Sequence, residues 1–193
     1  FGPIGGTENL PFKHLSYLDF GGIVYFSIRT ILNTIQLNFS YAIKKSYKKS
    51  NCNIISSHSG IYRDLIYYFN KKSDIMSEIC ISANKYNFVE PKKLNENLKV
   101  VWIGNFEPAK NLPPLLHAKA SLEKKNIFFD LIICGSGARE NKWKNISKKL
   151  KLKNIYWKGR IERDQVLKVL SNSHVYITTS LKDLTSTSLI EAM

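Results

Sequence analysis

"LKVVWIGNFEPAKNLPPLLHAKASLEKKNIFFDLIICG", residues 98–135, carries the pattern on which the fold turns. Leu98 to Gly104 is an almost unbroken apolar run, as a strand covered on both faces requires. From Lys110 to Lys125 the period changes: Leu112, Leu115, Leu116 and Leu122 fall on one face of a helix, and Pro113 and Pro114 are tolerated in its first turn. Phe128 to Gly135 is then a second buried strand. Strand, helix, strand at these lengths predicts parallel strands joined by a crossover.

The alternation continues outward to the C-terminus. Arg139–Leu150 reads as a helix, Asn154–Gly159 as a strand, and Glu162–Asn172 as a helix with Val166, Leu167 and Leu170 inward. His174–Ser180 is a strand and Ser186–Met193 opens another helix. Residues 98–193 therefore read as the first part of a doubly wound α/β domain.

Upstream the pattern is looser. "FGPIGGTENLP" is a Gly/Pro-rich loop, and Ile28, Ile31, Leu32 and Ile35 recur at helical spacing within a helix expected from Gly22 to about Lys45. A short strand is expected at Ile54–Ser57, a turn at Ser59 and Gly60, a helix carrying Ile61, Leu65, Ile66 and Phe69, and a further strand within Glu78–Ser82. A polar stretch with Pro91 follows, which divides the chain into 1–88, a linker at 89–97 and 98–193. Phe1 is no initiator Met and Met193 falls inside a helix, so both ends read as cut and both domains as incomplete.

Composition narrows the class. Of 193 residues, 44% are hydrophobic and 12% aromatic, enough for a packed core, and no apolar run reaches the roughly 18 residues of a membrane span. Cys52, Cys80 and Cys134 lack any CxxC spacing and read as buried thiols of a reducing compartment. His14, His58, His117 and His174 have no metal spacing. The net charge of +14 comes from Lys scattered along the chain, not from one element with interleaved aromatics. That disfavours a nucleic-acid-binding protein, the reading kept as the alternative together with a non-catalytic nucleotide-sugar binder. It permits peripheral contact with an anionic membrane at the inner face of the cell membrane, from a cytoplasmic location.

In a parallel sheet, ligands bind beyond the carboxyl ends of the strands. Four segments fall there: "GNFEPAK", "GSG", "GR" and "SLKDLTSTSLIE". A helix beginning near Thr185 to Thr187 would turn its unpaired N–H groups toward a phosphate, with Lys110 supplying a charge. Asp183 and Glu191 would repel that phosphate and suit neutral polyols on either side of it. A phosphate between two polyols is a nucleotide sugar. "GSGARE" lacks the third glycine of a dinucleotide fingerprint, since Glu140 stands there.

The spacing of Asp183 and Glu191 within "SLKDLTSTSLIEAM" resembles the paired-acid motif of GT-B glycosyltransferases of the "glycosyl transferases group 1" type. "VWIGNFEPAKN", "DLIICGSG" and "NIYWKGRI" match that family's order before it, and "FGPIGGTENLP" resembles a stretch late in its acceptor-side domain. The resemblance implies two Rossmann-like doubly wound domains, of which residues 1–88 are the C-terminal part of the acceptor-side one. It implies transfer of a hexose-type sugar, with retention, from a nucleotide-diphosphate-sugar to a glycan or lipid-linked acceptor in cell-envelope polysaccharide or glycoconjugate synthesis. No cofactor or metal is implied beyond that donor.

Carried over by residue, the resemblance has Glu191 hold the ribose and Asp183 the hydroxyls of the transferred sugar. Lys110 and the backbone around Thr185, Ser186 and Thr187 would hold the diphosphate. Gly104 and Asn105 form the first loop, Gly135 and Gly137 pass close to the nucleotide, and the Gly159–Arg160 loop borders the base. Asn105 stands where the family often has a phosphate-binding Arg, and Asp183 where it usually has Glu. No residue is assigned to acid or base catalysis, because the family's catalytic-face His is expected upstream of Phe1, where the fragment alone would be inactive.

Overall fold

The computed structural model of the protein describes residues 7–49, 53–77, 97–183 and 186–193. The chain forms two compact units, Phe1–Cys80 with Lys182–Thr185, and Ile81–Leu181 with Ser186–Met193. The grouping of Lys182 and Asp183 with the first unit is not foreseeable from the sequence, and most of the expected 89–97 linker lies outside the described residues.

In the first unit a 3-10 turn, Phe12–Tyr17, leads to helix α1, Phe20–Phe39. Asp19 caps α1 by accepting a hydrogen bond from the Gly22 N–H at 2.8 Å. The single helix expected to run to Lys45 is two: Ser40 turns extended, and α2 begins afresh over Tyr41–Lys49. The predicted apolar face is also not the covered one. Gly22, Phe26 and Leu37 are buried, whereas Ile28, Ile31, Leu32 and Ile35 are each at least half exposed.

Strand β1, Ile55–Ser56, runs into helix α3, Ser59–Phe69, and pairs in parallel with β2, Asp74–Ile75. His58 caps α3, its Nδ1 accepting from the Gly60 N–H at 3.1 Å, and Asn70 closes the helix in the left-handed region at φ 51°. Ile61 and Leu65 of α3 are fully buried, as their spacing predicts, whereas Ile66, expected on the same face, is exposed and Phe69 is half-buried. The strand expected within 78–82 lies outside the described residues.

The second unit is the regular α/β body. Its elements are β3 (Lys99–Ile103), a 3-10 turn (Pro108–Lys110), α4 (Pro113–Glu123), β4 (Asp130–Cys134), α5 (Glu140–Lys149), β5 (Ile155–Gly159), α6 (Arg163–Ser171), β6 (Val175–Tyr176) and α7 (Thr187–Ala192). The sheet is parallel throughout, in the order β5-β4-β3-β6. The chain thus builds in one direction from β3 and then jumps back to β3's other side. The carboxyl ends of β3 and β6 flank that reversal, where an open α/β sheet leaves a crevice. Strand β6 is shorter than the seven residues expected, since only Val175 and Tyr176 pair with Val100 and Val101.

The core explains the apolar runs. Val100, Val101 and Trp102 of β3, Leu131 and Ile133 of β4, and Leu112, Leu115 and Leu116 ahead of and within α4 are buried, each such side chain contributing roughly 1.5 to 3 kcal/mol. Trp102 meets Trp143 edge-on at 6.0 Å, and Phe106 lies 5.3 Å from Trp143 and 5.7 Å from Trp157. Trp157 itself is only half-buried. Val166, Leu167 and Leu170 of α6 are likewise half-buried, because α6 has no fully covered face. One buried ammonium was not anticipated: Lys119 Nζ donates to the Phe129 carbonyl at 2.6 Å, pairs with Glu123 at 3.1 Å and stands 4.1 Å over the Phe129 ring.

Cys134, at the end of β4, is 1% exposed. Burial pushes its thiol from the ordinary 9.0 up to about 11, against an opposing pull from Lys158. A proton held more tightly in the folded state stabilises below the unfolded value, and that stabilisation fades as pH rises through the folded one. Between pH 9 and 11, wild type should lose about 2 to 3 kcal/mol more unfolding free energy than Cys134→Ala. Urea denaturation at stepped pH measures the difference, and parallel curves would contradict it.

Candidate functional site

The loops that leave β3, β4, β5 and β6 at their carboxyl ends are tied to one another through the main chain. Gly104 N–H donates to the Cys134 carbonyl at 3.1 Å, Phe106 N–H to that of Ser136 at 2.9 Å, and Gly135 N–H to that of Gly159 at 2.7 Å. On the other flank Leu181 N–H donates to the Ala109 carbonyl at 2.8 Å. All these residues belong to the second unit. The convergence expected of the first three segments is therefore real, and the fourth joins them through its start at 179–181.

The glycines of "GSG" are demanded by the first loop itself. Gly135 has φ 142°, and a Cβ there would stand 1.9 Å from the Gly104 carbonyl oxygen; one on Gly137 would stand 3.0 Å from both N and O of Phe106. Phe106, 1% exposed, wedges between them, and its carbonyl accepts from the Arg139 N–H at 3.0 Å. Phe106 is not among the residues that the sequence pattern marks; its one local signal is a lone aromatic in the polar loop "GNFEPAK".

Lys110 is held through its backbone. Its N–H donates to Glu107, Asn111 follows in the left-handed region at φ 44°, and its carbonyl accepts from Thr179 Oγ1 at 2.7 Å. Thr179 Oγ1 also accepts from the Trp102 indole N–H at 3.0 Å. Trp102, Thr179 and Lys110 thus form one line from the core to the loop. Lys110 is half-buried, while Asn105 and Arg160 are exposed.

The C-terminal segment is only partly as expected. Helix α7 starts at Thr187, within the predicted window, and its N-cap Ser186 makes no side-chain cap bond. Its hydroxyls are already engaged among themselves: Ser188 Oγ lies 2.8 Å from Tyr176 Oη and 3.2 Å from Ser186 Oγ. Thr187 is exposed, Asp183 is exposed and groups with the first unit, and Thr185 lies outside the described residues.

Glu191 has the most defined surroundings. Its side chain is 5% exposed, and Oε1 lies 3.0 Å from Nη2 of Arg163, the first residue of α6. Arg163 was missed because nothing in its local pattern marks it. Nearby in sequence, Lys182 is half-buried in the first unit, where its Nζ donates to the Glu8 carbonyl. Burial pushes the Lys182 ammonium down, aided by Arg29 and opposed by Glu8 and Asp64.

A parallel α/β unit with four interlocked loops at its strand ends is an architecture built to hold a ligand there. The model of the family Glycosyl transferases group 1 matches residues 84–193, more than half of the chain, and the chain belongs to that family. S. aureus TarM, in a mutant complexed with fondaparinux, alpha-GlcNAc-glycerol and UDP, is similar with a TM-score of 0.63 at 21% identity, over 78% of this chain and 29% of that one. The lipopolysaccharide outer core galactosyltransferase WaaB, in its apo form, has a TM-score of 0.59 at 21% identity, over 72% of this chain and 40% of WaaB. The pneumococcal O-GlcNAc transferase GtfA, in complex with UDP and GlcNAc, has a TM-score of 0.58 at 17% identity, over 80% and 30%. At these identities the likeness is one of fold, and that fold is GT-B. The chain spans 29% to 40% of the length of these three structures. No curated protein matches it.

Gly135→Ala should lower the unfolding free energy by about 2 to 4 kcal/mol, since both the positive φ and the Gly104 carbonyl oppose a Cβ. Urea denaturation measures this; an effect below about 0.5 kcal/mol would mean the two loops separate freely.

Proposed function

We propose that the protein is a glycosyltransferase that moves a hexose-type sugar, with retention of configuration, from a nucleotide-diphosphate-sugar to a glycan or lipid-linked acceptor in cell-envelope polysaccharide or glycoconjugate synthesis. The observation that carries the reading is Glu191, a nearly buried carboxylate in a family of glycosyl transferases, on the helix that follows the fourth of the linked loops. An ionised carboxylate accepts several hydrogen bonds, which suits the two adjacent hydroxyls of a ribose.

In this reading Lys110 faces the diphosphate, with the backbone of Thr185, Ser186 and Thr187 donating to it, and Asp183 holds the transferred sugar. Gly104, Asn105, Gly135, Gly137 and Arg160 border the nucleotide. Charge-assisted hydrogen bonds of this kind contribute roughly 1.5 to 3 kcal/mol each, so Lys110 accounts for a substantial share of diphosphate affinity. The positioning of Lys110 by Thr179 and Trp102 supports this role. The donor substrate is the only small molecule the reaction needs, with neither metal nor cofactor. In the full-length protein, Glu191→Gln should weaken UDP or GDP binding by about tenfold or more in calorimetric titration, with turnover falling in parallel. Unchanged affinity and turnover would remove Glu191 from the donor site.

The acceptor side of the reading includes peripheral contact with an anionic membrane surface. Among the described residues no helix is long and apolar enough to cross a membrane. The stretch from Phe20 to Lys49 contains no acidic residue, presents Phe20, Tyr25, Ile28, Ile31, Leu32, Ile35 and Phe39 at the surface, and ends in "KKSYKK". Apolar and basic side chains on adjoining helices are the combination that binds an anionic interface. Co-sedimentation with vesicles should rise with anionic lipid and fall with salt; indifference to lipid charge would sink the membrane contact alone.

A further inference from the structure

We propose that Arg163 is a positioning residue for donor binding: it holds the Glu191 carboxylate in place for the ribose diol of a nucleoside diphosphate. The inference rests on the donor-site reading above and adds to it a residue from a different helix.

The geometry is asymmetric in an informative way. The Glu191 side chain is 5% exposed and that of Arg163 is 62% exposed, at an Nη2 to Oε1 distance of 3.0 Å. A carboxylate so far out of water needs an opposite charge or full hydrogen bonding beside it. A largely solvated guanidinium supplies the charge without itself being desolvated. An ionised carboxylate has about four lone-pair sites, so one contact through Oε1 leaves acceptor capacity for a diol.

The position of Arg163 is hard to explain by helix stability. It is the first residue of α6, and its N-cap, Glu162, makes no side-chain cap bond. A cation there opposes the helix dipole. Asp164, the next residue, is the charge that helix end favours. Reach across to Glu191 on α7 is what the arginine at this position provides. Arg163 ties α7 to α6 through this pair, so the carboxylate is presented in one orientation before ligand arrives, the preorganisation that lowers the cost of binding.

The experiment is calorimetric titration of UDP, GDP and inorganic pyrophosphate into the full-length protein as wild type, Arg163→Ala, Arg163→Lys, Glu191→Gln and the double variant. Arg163→Ala should weaken the preferred nucleoside diphosphate about 5- to 20-fold while changing pyrophosphate by less than about twofold, because the effect passes through the ribose. Arg163→Lys should recover part of the loss, since the charge returns without the planar fork. The double variant should bind no more weakly than Glu191→Gln alone. If circular dichroism shows Arg163→Ala unfolded, Arg163→Gln carries the same comparison.

Equal nucleotide affinity in wild type and Arg163→Ala overturns the proposal, as does tighter binding, which would make the arginine a competitor for Glu191. Equal losses for pyrophosphate and nucleotide would show a general attraction of anions and overturn it too. Failure of wild type to bind either nucleotide overturns the donor-site reading itself, and this inference with it. Wild-type binding that Arg163→Ala leaves intact and Glu191→Gln abolishes spares the donor site and removes Arg163.

Discussion

The second unit depends on a close approach of main chain to main chain. The Gly104 carbonyl and the backbone of Phe106 occupy the space that side chains at 135 and 137 would need, and the Phe106 ring fills the gap between Trp102, Trp143 and Trp157. Because this packing is aromatic and dry, the loops after β3 and β4 are extensions of the core more than surface connections. Loops of that kind hold a ligand in a fixed frame, since little ordering remains to be done on binding.

The sheet order makes the fourth loop part of the same frame. By crossing back to the free side of β3, the chain puts Thr179 and Leu181 against the 109–110 turn, and the Trp102 indole, the Thr179 hydroxyl and the Lys110 carbonyl become one hydrogen-bonded line. The Lys110 backbone is thereby anchored to a buried strand of the unit. Arg163 and Glu191 join two further elements of the unit, α6 and α7, through one ion pair.

The first unit follows a different logic. Its short parallel pair, β1 with β2, and the buried face of α3 make a compact piece, yet the apolar side of α1 stays in water. Periodicity identified α1 as helical and amphipathic, and could not say which apolar face would be covered. Gly22, Phe26 and Leu37 take the interior while the more regular Ile28–Ile35 series remains outside. Helix α2, which follows it, is lysine-rich and free of acidic residues.

Local pattern in the sequence specified the regular elements of the second unit. Apolar runs at Leu98–Gly104 and Phe128–Gly135 and the leucine stripe between them specify parallel strands and a crossover helix, because only that arrangement buries both. The Gly-rich turns and the acid pair of the C-terminal segment specify a family for the same reason, each being a short-range chemical requirement. Contacts between residues far apart in the chain came with the folded structure alone: the return of β6 to β3, Phe106 beneath the GSG turn, the burial of Lys119, and the pairing of Arg163 with Glu191. These contacts leave no periodic trace, since a single long-range hydrogen bond or ion pair constrains two positions and says nothing about their neighbours.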